Sequence, residues 1–417
     1  MTDATILRRN RHFAPHSLAA GCLEGGATKG AEPRRGSLLY TNAIKSVFSS
    51  VGFILCAVAM LSADAKTLTW SGGAAGDINV AANWGNQTPQ AGDVLMFNGT
   101  VALSGEDGFG LGDATTRTTF QVESGCKVTF GLQFTGAGQI VKTSAGEISV
   151  GSAAFGSEFS GGVRVEGGIL SFARSNAALV GFGSGEIEVV ATGNSGAKIM
   201  LNGWQTYLSN SVRITGSTAS CGCSVHLGQG SRIYGDVVSD GDFKIITDWH
   251  AVGDSDGIFG DVSAPGKTIT VAKIWNNDPY TMCFGGSVDA SIVNEWGAIE
   301  FLGVSTVLEN ALTLSNAAGK FGAGASWGGT NITVKGGSAS LNLTESSCIS
   351  NSTVIRVQGG AKIDIASGVK ALAGGLWVDG IEKPAGVYRA SNLPGCITGK
   401  GRLLVGITGV GFMMILR

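Results

Sequence analysis

The chain has 417 residues, of which 67 are glycine and only 14% are charged, while 43% are hydrophobic. The seven prolines and the lack of a Gly-X-Y period exclude collagen, and the hydrophobic share argues against a disordered chain. Seven of the 29 basic and four of the 31 acidic residues precede Lys66, so the net charge of −2 becomes about −5 for the rest, which argues against nucleic-acid binding.

The N-terminal part of the chain predicts export. An uncharged, mostly apolar run covers residues 47–61, and Ala-Asp-Ala at 63–65 has the small-x-small pattern of a signal-peptidase site. The run is shorter than the roughly 20 apolar residues that a transmembrane helix needs. We interpret about residues 44–65 as a signal peptide cleaved before Lys66, with a retained membrane anchor as the alternative. The protein is therefore expected outside the cell or on its surface, with no stable transmembrane span.

A tryptophan-rich segment, residues 66–100, follows the expected cleavage site. Trp70 and Trp84 bracket a glycine-rich turn, and Gly-Asp at 92–93 leads into a predicted strand at 94–97. A stack of strands needs distinctive ends, because an uncovered end aggregates by edge pairing. We predict that this segment is an N-terminal cap.

A short unit recurs at 163–168, 332–337 and 355–360. It consists of a β-branched residue, Arg or Thr, Val, a polar residue and two glycines. Each copy alternates apolar and polar residues, breaks at the glycine pair and alternates again, which predicts a strand, a corner and a strand. The last two copies start 23 residues apart, which fits one turn of a β-solenoid. We predict an all-β fold, a right-handed parallel β-helix (β-solenoid), over residues 101–375.

The densest polar stretch lies at 239–262. Carboxylates are the ligands that Ca²⁺ prefers, and an aromatic ring beside polar groups can contact a sugar. The spacing matches neither a complete EF-hand loop nor a nonapeptide Ca²⁺ repeat, and Asp-Gly and Asp-x-Asp are ordinary corner residues, so solvated turns are the alternative. The candidate ligand-binding residues, for carbohydrate or Ca²⁺, are Asp248, Trp249, His250, Asp254, Asp256 and Asp261. We predict no catalytic residue and no resident metal or other cofactor, with Ca²⁺ as the one ion left open.

Six cysteines lie after residue 65. Their sparse spacing does not fit a disulfide-framework domain, and no C-x-x-C pairs support a zinc site. We predict small buried side chains, with one or two disulfides as the alternative.

The C-terminal segment, residues 376–417, is predicted to close the stack as a second cap. Asp-Gly at 379–380 predicts a hairpin, Pro-Ala-Gly at 384–386 predicts a turn, and a last strand is expected at 403–405.

Three parts of the chain resemble one known family, the secreted bacterial β-helix proteins with autotransporter-associated β-strand repeats. The Trp-rich opening at 67–100 resembles the start of such proteins, GGVRVEGGILSFARSNAALVGFGSGEIEVV at 161–190 is similar to the family repeat, and 376–405 is similar to the terminal module. The resemblance implies a passenger-like β-helix, here without the translocator barrel that true autotransporters add. It implies an architecture and says almost nothing about activity.

Two function classes follow. We expect a secreted or cell-surface structural, adhesin-like β-helix protein without catalytic activity, whose partners are extracellular polysaccharide or other cell-surface components. The alternative is a carbohydrate-active β-helix that binds or cleaves a polysaccharide near residues 240–261, because such chemistry needs paired carboxylates, or a Ca²⁺ site with a basic residue, on one face.

Overall fold

The computed structural model describes residues 65–173, 179–192, 196–218, 222–228, 230–247, 256–273, 281–305 and 309–407. These residues form strands and two short 3-10 helices, Ala81–Trp84 and Ser152–Gly156, and no α-helix. Residues 44–64 of the predicted signal peptide lie outside the described ranges. Among the helices that are described, none has the length and apolar character needed to cross a membrane.

The strands are short because glycine-rich corners interrupt the chain every few residues. Up to residue 173 they are β1 (Thr67–Thr69), β2 (Ala75–Asp77), β3 (Val94–Phe97), β4 (Val101–Ser104), β5 (Phe109–Gly110), β6 (Arg117–Val122), β7 (Lys127–Phe130), β8 (Phe134–Gly136), β9 (Gln139–Thr143), β10 (Glu147–Val150), β11 (Glu158–Phe159), β12 (Val163–Val165) and β13 (Ile169–Phe172). From residue 179 to 294 they are β14 (Leu179–Val180), β15 (Ile187–Val190), β16 (Lys198–Leu201), β17 (Tyr207–Leu208), β18 (Val212–Thr215), β19 (Ser224–Leu227), β20 (Arg232–Ile233), β21 (Val237–Ser239), β22 (Phe243–Thr247), β23 (Asp256–Ile258), β24 (Val262–Lys273), β25 (Thr281–Phe284) and β26 (Val288–Asn294). The remainder are β27 (Gly297–Phe301), β28 (Val304–Ser305), β29 (Ala311–Ser315), β30 (Ala317–Phe321), β31 (Ser326–Trp327), β32 (Asn331–Lys335), β33 (Ser340–Leu343), β34 (Val354–Gln358), β35 (Lys362–Ile365), β36 (Lys370–Ala373), β37 (Gly375–Val378), β38 (Ile381–Glu382), β39 (Gly386–Tyr388), β40 (Ile397–Gly399) and β41 (Arg402–Val405).

Parallel pairing between successive turns arranges these strands in ladders. The first ladder runs β1-β3-β6-β9-β12-β15-β18-β21-β24-β26-β29-β32-β34-β37, and the second runs β2-β4-β7-β10-β13-β16-β19-β22-β24. A third face contains β5-β8-β11 and then β14-β17-β20-β23-β25-β27-β30-β33-β35-β40. The long strand β24 belongs to the first two ladders, because its start pairs with β21 and its end pairs with β22. The described chain is thus a parallel β-solenoid of about 12 turns, which confirms the predicted fold class.

The recurring unit has the predicted strand, corner and strand. In its second and third copies the flanking strands are β32 and β33, then β34 and β35. Ile332 pairs with Ile355 and Val334 with Val357. The 23-residue spacing between the two copies is therefore the length of one turn, and the copies stack in register. In the first copy, a Cβ on Gly168 would collide with the Gly146 carbonyl oxygen of the preceding turn. Glycine is therefore required there by backbone approach between turns.

The interior is a column of apolar side chains from the inward positions of each strand. Its N-terminal half is rich in phenylalanine, and the buried rings include Phe97, Phe120, Phe130, Phe134, Phe159, Phe172 and Phe182. In the C-terminal half, Phe284, Phe301 and Phe321 occupy one register position in three successive turns, with ring centroids 5.6 and 5.3 Å apart. In-register stacking of like side chains is the packing that a solenoid repeats from turn to turn.

The Trp-rich segment forms the first described turn, in which β1 pairs with β3 and β2 with β4. Trp84 is 2% exposed, and its ring centroid lies 5.0 Å from that of Trp70 and 5.6 Å from that of Phe97. Its indole Nε1 donates a hydrogen bond to the Ile78 carbonyl oxygen at 2.8 Å. An aromatic cluster therefore forms part of the core at this turn, and the role of the segment as a cap remains a prediction.

Antiparallel pairing, which is rare in this fold, occurs at the C-terminal end. Strand β37 pairs antiparallel with β38, and β39 with β41; these are the two antiparallel pairs among the described strands. Asp379 and Gly380, at φ 48° and 80°, form the turn between β37 and β38, so the predicted hairpin is confirmed. The predicted last strand is β41. Whether this segment acts as a cap remains a prediction.

One corner of the coil has glycine in four successive turns, at Gly235, Gly260, Gly286 and Gly303. A Cβ on Gly260 would collide with the Gly235 carbonyl oxygen, and one on Gly286 with that of Gly260. We expect Gly260→Ala to lower the free energy of unfolding by about 2 kcal/mol, because the overpacked corner must push two turns apart. Urea denaturation followed by circular dichroism measures this loss.

Gly99→Ala is the matched control, since nothing lies within 4 Å of a Cβ at that position. This variant is expected to change the free energy of unfolding by less than about 0.5 kcal/mol. Equal losses in the two variants would contradict the close approach of the turns at Gly260.

Candidate ligand-binding site

The structure describes two of the six residues that the sequence proposes as a site. Asp248, Trp249, His250 and Asp254 lie outside the described residues. Asp256 is fully buried in β23, whereas Asp261 lies at the exposed corner before β24. The two carboxylates are therefore in different environments, one inside the coil and one outside.

Asp256 belongs to a buried polar ladder inside the coil. Its Oδ1 accepts a hydrogen bond from the Ser231 backbone N–H at 3.0 Å, and the Ser231 Oγ accepts one from the Thr206 N–H at 3.2 Å. All three residues are at most 1% exposed. The ladder joins three successive turns. Asp256 is thus buried, in contrast to the solvated turn that Asp-x-Asp suggests.

Exposed aspartates also join one turn to the next. Asp236 Oδ1 accepts the Asp261 backbone N–H at 2.9 Å, and Asp261 Oδ1 accepts the Ser287 N–H at 2.8 Å and the Ser287 hydroxyl at 2.8 Å. These hydrogen bonds hold the pKa of Asp261 below its usual value. Asp242 Oδ1 likewise accepts the Thr268 N–H at 2.8 Å. These acidic side chains therefore hold the corner of one turn to the corner of the next.

Metal coordination needs several His, Cys, Asp or Glu side chains close together. The described residues contain no group of three or more of these side chains placed to hold a metal ion. The predicted Ca²⁺ site relies on Asp254, which is outside the described ranges, together with Asp256 and Asp261, whose positions diverge. Ca²⁺ binding remains a prediction.

A surface groove of about 560 Å³ lies across the second ladder at strands β16, β19, β22 and β24. It includes part of the polar stretch singled out from the sequence, although not the six residues named there. The side chains that give the groove its chemistry are Lys198, Ser224, Asp242, Lys244, Thr268 and Thr270. Thr218, Gly222, Phe243 and Ile246 complete the lining.

The parallel register places four of these side chains in one outward row. Lys198 pairs with Ser224, Ser224 with Lys244, and Lys244 with Thr270. The alternate positions, such as Val225 and Ile245, are fully buried. The row therefore lies on the outward positions of the strands, with one residue per turn. Ser224 is only 5% exposed, and its Oγ lies 3.1 Å from His226 Nε2.

The lysines of this row are ion-paired near its start but not in the groove. Earlier in the same row, Lys127 pairs with Glu147 at 2.8 Å from ammonium to carboxylate. Lys198 and Lys244 have no ion-pair partner among the described residues. Because Ser224 separates them, the two lysines lie two strands apart, about 10 Å. Asp242 is the one carboxylate in the groove lining, and its Oδ1 is already hydrogen-bonded.

A second surface feature, on the third face, combines aromatic rings with an arginine. The Arg232 guanidinium carbon lies 5.3 Å from the Tyr207 ring centroid and 4.9 Å from that of Phe259. Tyr234 lies between the two rings, with centroids 5.6 Å from Tyr207 and 5.4 Å from Phe259. A Cβ on Gly257 would collide with the Phe259 ring, so that ring packs closely over Gly257. Cation–π contacts thus stabilise this surface across three turns.

A lysine is buried inside the coil near the N-terminal end. Lys142 lies between Phe120 and Val165 in the first ladder and is fully buried. Its ammonium donates hydrogen bonds to the carbonyl oxygens of Thr143 and Ser144 at 2.9 and 2.6 Å. Burial lowers the pKa of Lys142 to about 8, and the nearby Glu123 carboxylate opposes this shift only in part.

The described cysteines fit the prediction of small buried side chains. Cys223, Cys283, Cys348 and Cys396 are buried, Cys126 is half-buried, and no disulfide links two of these five. Burial raises the pKa of Cys348, and it raises the pKa of Cys396 to about 11. Because the thiolate is the reactive form, these two side chains are protected both sterically and chemically.

Alkylation under native conditions is expected to modify Cys126 well before Cys348 and Cys396. Iodoacetamide labelling at neutral pH, followed by peptide mass spectrometry, measures the order. The unfolded protein serves as the control, in which all three should react at similar rates. Native labelling of Cys396 as fast as that of Cys126 would contradict its burial.

The groove is the described surface best suited to hold a ligand. It offers two cations in a fixed register, the hydroxyls of Thr268 and Thr270, and a floor of paired strands. Sequence reasoning missed it because Lys198, Ser224 and Lys244 are 26 and 20 residues apart, and unequal turn lengths hide the row until the register is known. Comparisons of the chain with protein-family models, with curated proteins and with solved structures find no match.

Proposed function

We propose that the protein is exported and acts outside the cell or on its surface as a structural, adhesin-like β-solenoid. On this proposal it holds a ligand without transforming it. The parallel stack of about 12 turns is the observation that supports it, because such a stack presents one rigid surface on which side chains recur at each turn.

The use of the acidic residues also supports a structural role. Asp236, Asp242 and Asp261 each accept a backbone N–H of the next turn, and Asp256 does the same for the preceding turn inside the coil. These carboxylates satisfy backbone donors at corners, where the ladder hydrogen bonds stop. The stack is therefore tied together at its corners as well as along its strands.

A carbohydrate-active protein is the second candidate, and the groove favours binding over cleavage. Glycoside hydrolysis needs two carboxyl groups that flank one bond. Asp256 is inside the coil, and Asp261 holds the next turn at an exposed corner. The groove brings together lysines and hydroxyls, which suit recognition of an acidic or hydroxyl-rich ligand.

Localisation of the full chain in a bacterial host tests the proposal. With a C-terminal epitope, we expect the tag in the medium or accessible to protease on intact cells, and a mature N-terminus at Lys66. Replacing Leu55 and Val58 with arginine interrupts the apolar run and is expected to retain the chain inside the cell. Unaltered protein that stays inside with Met1 in place would contradict export and hence the proposed role.

A further inference from the structure

We propose that the groove across β16, β19, β22 and β24 binds an acidic polysaccharide, a chain of sugars that carry carboxylate or sulfate groups. This inference deepens the proposed surface role and rests on it. Lys198 and Lys244 would contact the acidic groups, and the hydroxyls of Thr268 and Thr270 would contact the sugar oxygens.

The charge pattern is the first argument. Most ion pairs on this solenoid join a cation to an acidic residue of an adjacent turn, as in Lys127–Glu147, Arg164–Glu188 and Lys320–Glu300. In the groove, the residue between Lys198 and Lys244 is Ser224, so neither lysine meets an opposite charge in its row. Two like charges facing one cavity repel each other, and a bound anion relieves this repulsion.

The spacing of the lysines points to a polymer. The backbones of Lys198 and Lys244 lie two strands apart, about 10 Å, so the two ammonium groups follow one another along the coil axis. A chain that runs along the coil axis presents acidic groups repeatedly and can meet both cations. Simultaneous contact raises affinity beyond that of either contact alone, because the second becomes intramolecular.

The lining favours a glycan over a nucleic acid. Single-stranded nucleic acids are held by aromatic rings on which their bases stack. The one ring in the lining belongs to Phe243, which is 2% exposed and packs in the core. Beside the half-buried Ile246, the hydroxyls of Thr268 and Thr270 and the charged side chains face the groove, and these match the hydroxyls and acidic groups of a sugar chain.

Asp242 makes the proposal sharply testable. Its carboxylate lies in the same groove, where it repels an acidic ligand, while its Oδ1 accepts the Thr268 N–H. Asp242→Asn keeps this acceptor and removes the charge. Substitutions within one groove are therefore expected to have opposite effects: tighter binding for Asp242→Asn and weaker binding for the lysine variants.

The experiment measures binding of the full, processed chain to polygalacturonate, heparin, neutral dextran and single-stranded DNA by isothermal titration calorimetry at low salt. We expect the Lys198→Gln/Lys244→Gln variant to bind the acidic polymers about 25-fold more weakly, from about fivefold for each lysine, and Asp242→Asn to bind several-fold more tightly. Raising the salt to about 0.15 M should weaken binding of the unaltered protein, because exposed charges are screened. The heparin and polygalacturonate arms distinguish sulfated from carboxylated chains.

Lys335→Gln/Lys362→Gln is the matched control, because it removes two exposed lysines of β32 and β35 and changes the net charge equally. It should change affinity by less than about twofold. An equal loss in the control, equal binding of dextran, or tighter binding of single-stranded DNA than of either acidic glycan would overturn the inference. Export without such binding would defeat this inference alone, whereas binding by a chain that stays inside the cell would defeat the proposed surface role and leave the groove assignment standing.

Discussion

Replacing Trp84 with alanine is expected to lower the free energy of unfolding by about 4 kcal/mol. The ring is 2% exposed and packs edge-on against Trp70 and Phe97, and its Nε1 donates to the Ile78 carbonyl oxygen. Truncation leaves a cavity and an unsatisfied carbonyl at the first turn of the stack. Chemical denaturation followed by circular dichroism measures the loss.

Trp204→Ala is the control for this variant, since Trp204 is 54% exposed. Its substitution is expected to cost less than about 0.5 kcal/mol. If the Trp-rich segment is a cap, the Trp84 variant should also form more aggregate at high concentration, because its first strands are less well protected from edge pairing. Equal stability of the two variants would contradict the burial of Trp84 in the aromatic cluster of the core.

Replacing Lys142 with methionine is expected to remove a pH dependence of stability. The pKa of Lys142 is about 8 in the folded protein and about 10.5 in the unfolded chain. Between these values the unfolded chain binds more protons, so this group makes the unaltered protein more stable as the pH rises, by up to about 3 kcal/mol. Below pH 8 the full penalty for burying the ammonium is present. The free energy of unfolding of the methionine variant should therefore exceed that of the unaltered protein by the largest amount in this pH range.

Denaturation curves from pH 7 to pH 10.5 measure this difference. The free energy of unfolding of Lys142→Met, minus that of the unaltered protein, should be nearly constant close to pH 7 and fall between about pH 8 and pH 10.5. Lys335→Met, at an exposed position of β32, is the control and should give a constant difference. A constant difference for Lys142→Met as well would show that its ammonium is solvated.

The strand and corner pattern could be predicted because it depends on local chemistry. The alternation around Gly167-Gly168 and Gly336-Gly337 gives the strands and corners directly. The 23-residue spacing from Ile332 to Ile355 is the length of one turn, and the two residues pair in register. Hairpin chemistry at Asp379-Gly380 is equally local, since both residues adopt positive φ.

The candidate site could be predicted only in part, because side-chain direction depends on register between turns. Asp256 resembles a solvated corner residue in the sequence, yet its inward position places it beneath Ser231 in a buried ladder. Lys198 and Lys244 form one row only after turns of different length are aligned. The burial of Lys142 could have been predicted from the sequence, since it follows Ile140 at the next inward position of the same strand.

The claim that this solenoid holds a polysaccharide without cleaving it is tested most directly by following the polymer. The processed chain is incubated with polygalacturonate, and bound polymer is measured together with newly formed reducing and unsaturated ends. The account predicts retained polymer of unchanged length and no new ends. Release of new ends by the unaltered protein, abolished in Asp248→Ala, would contradict it and identify an enzyme.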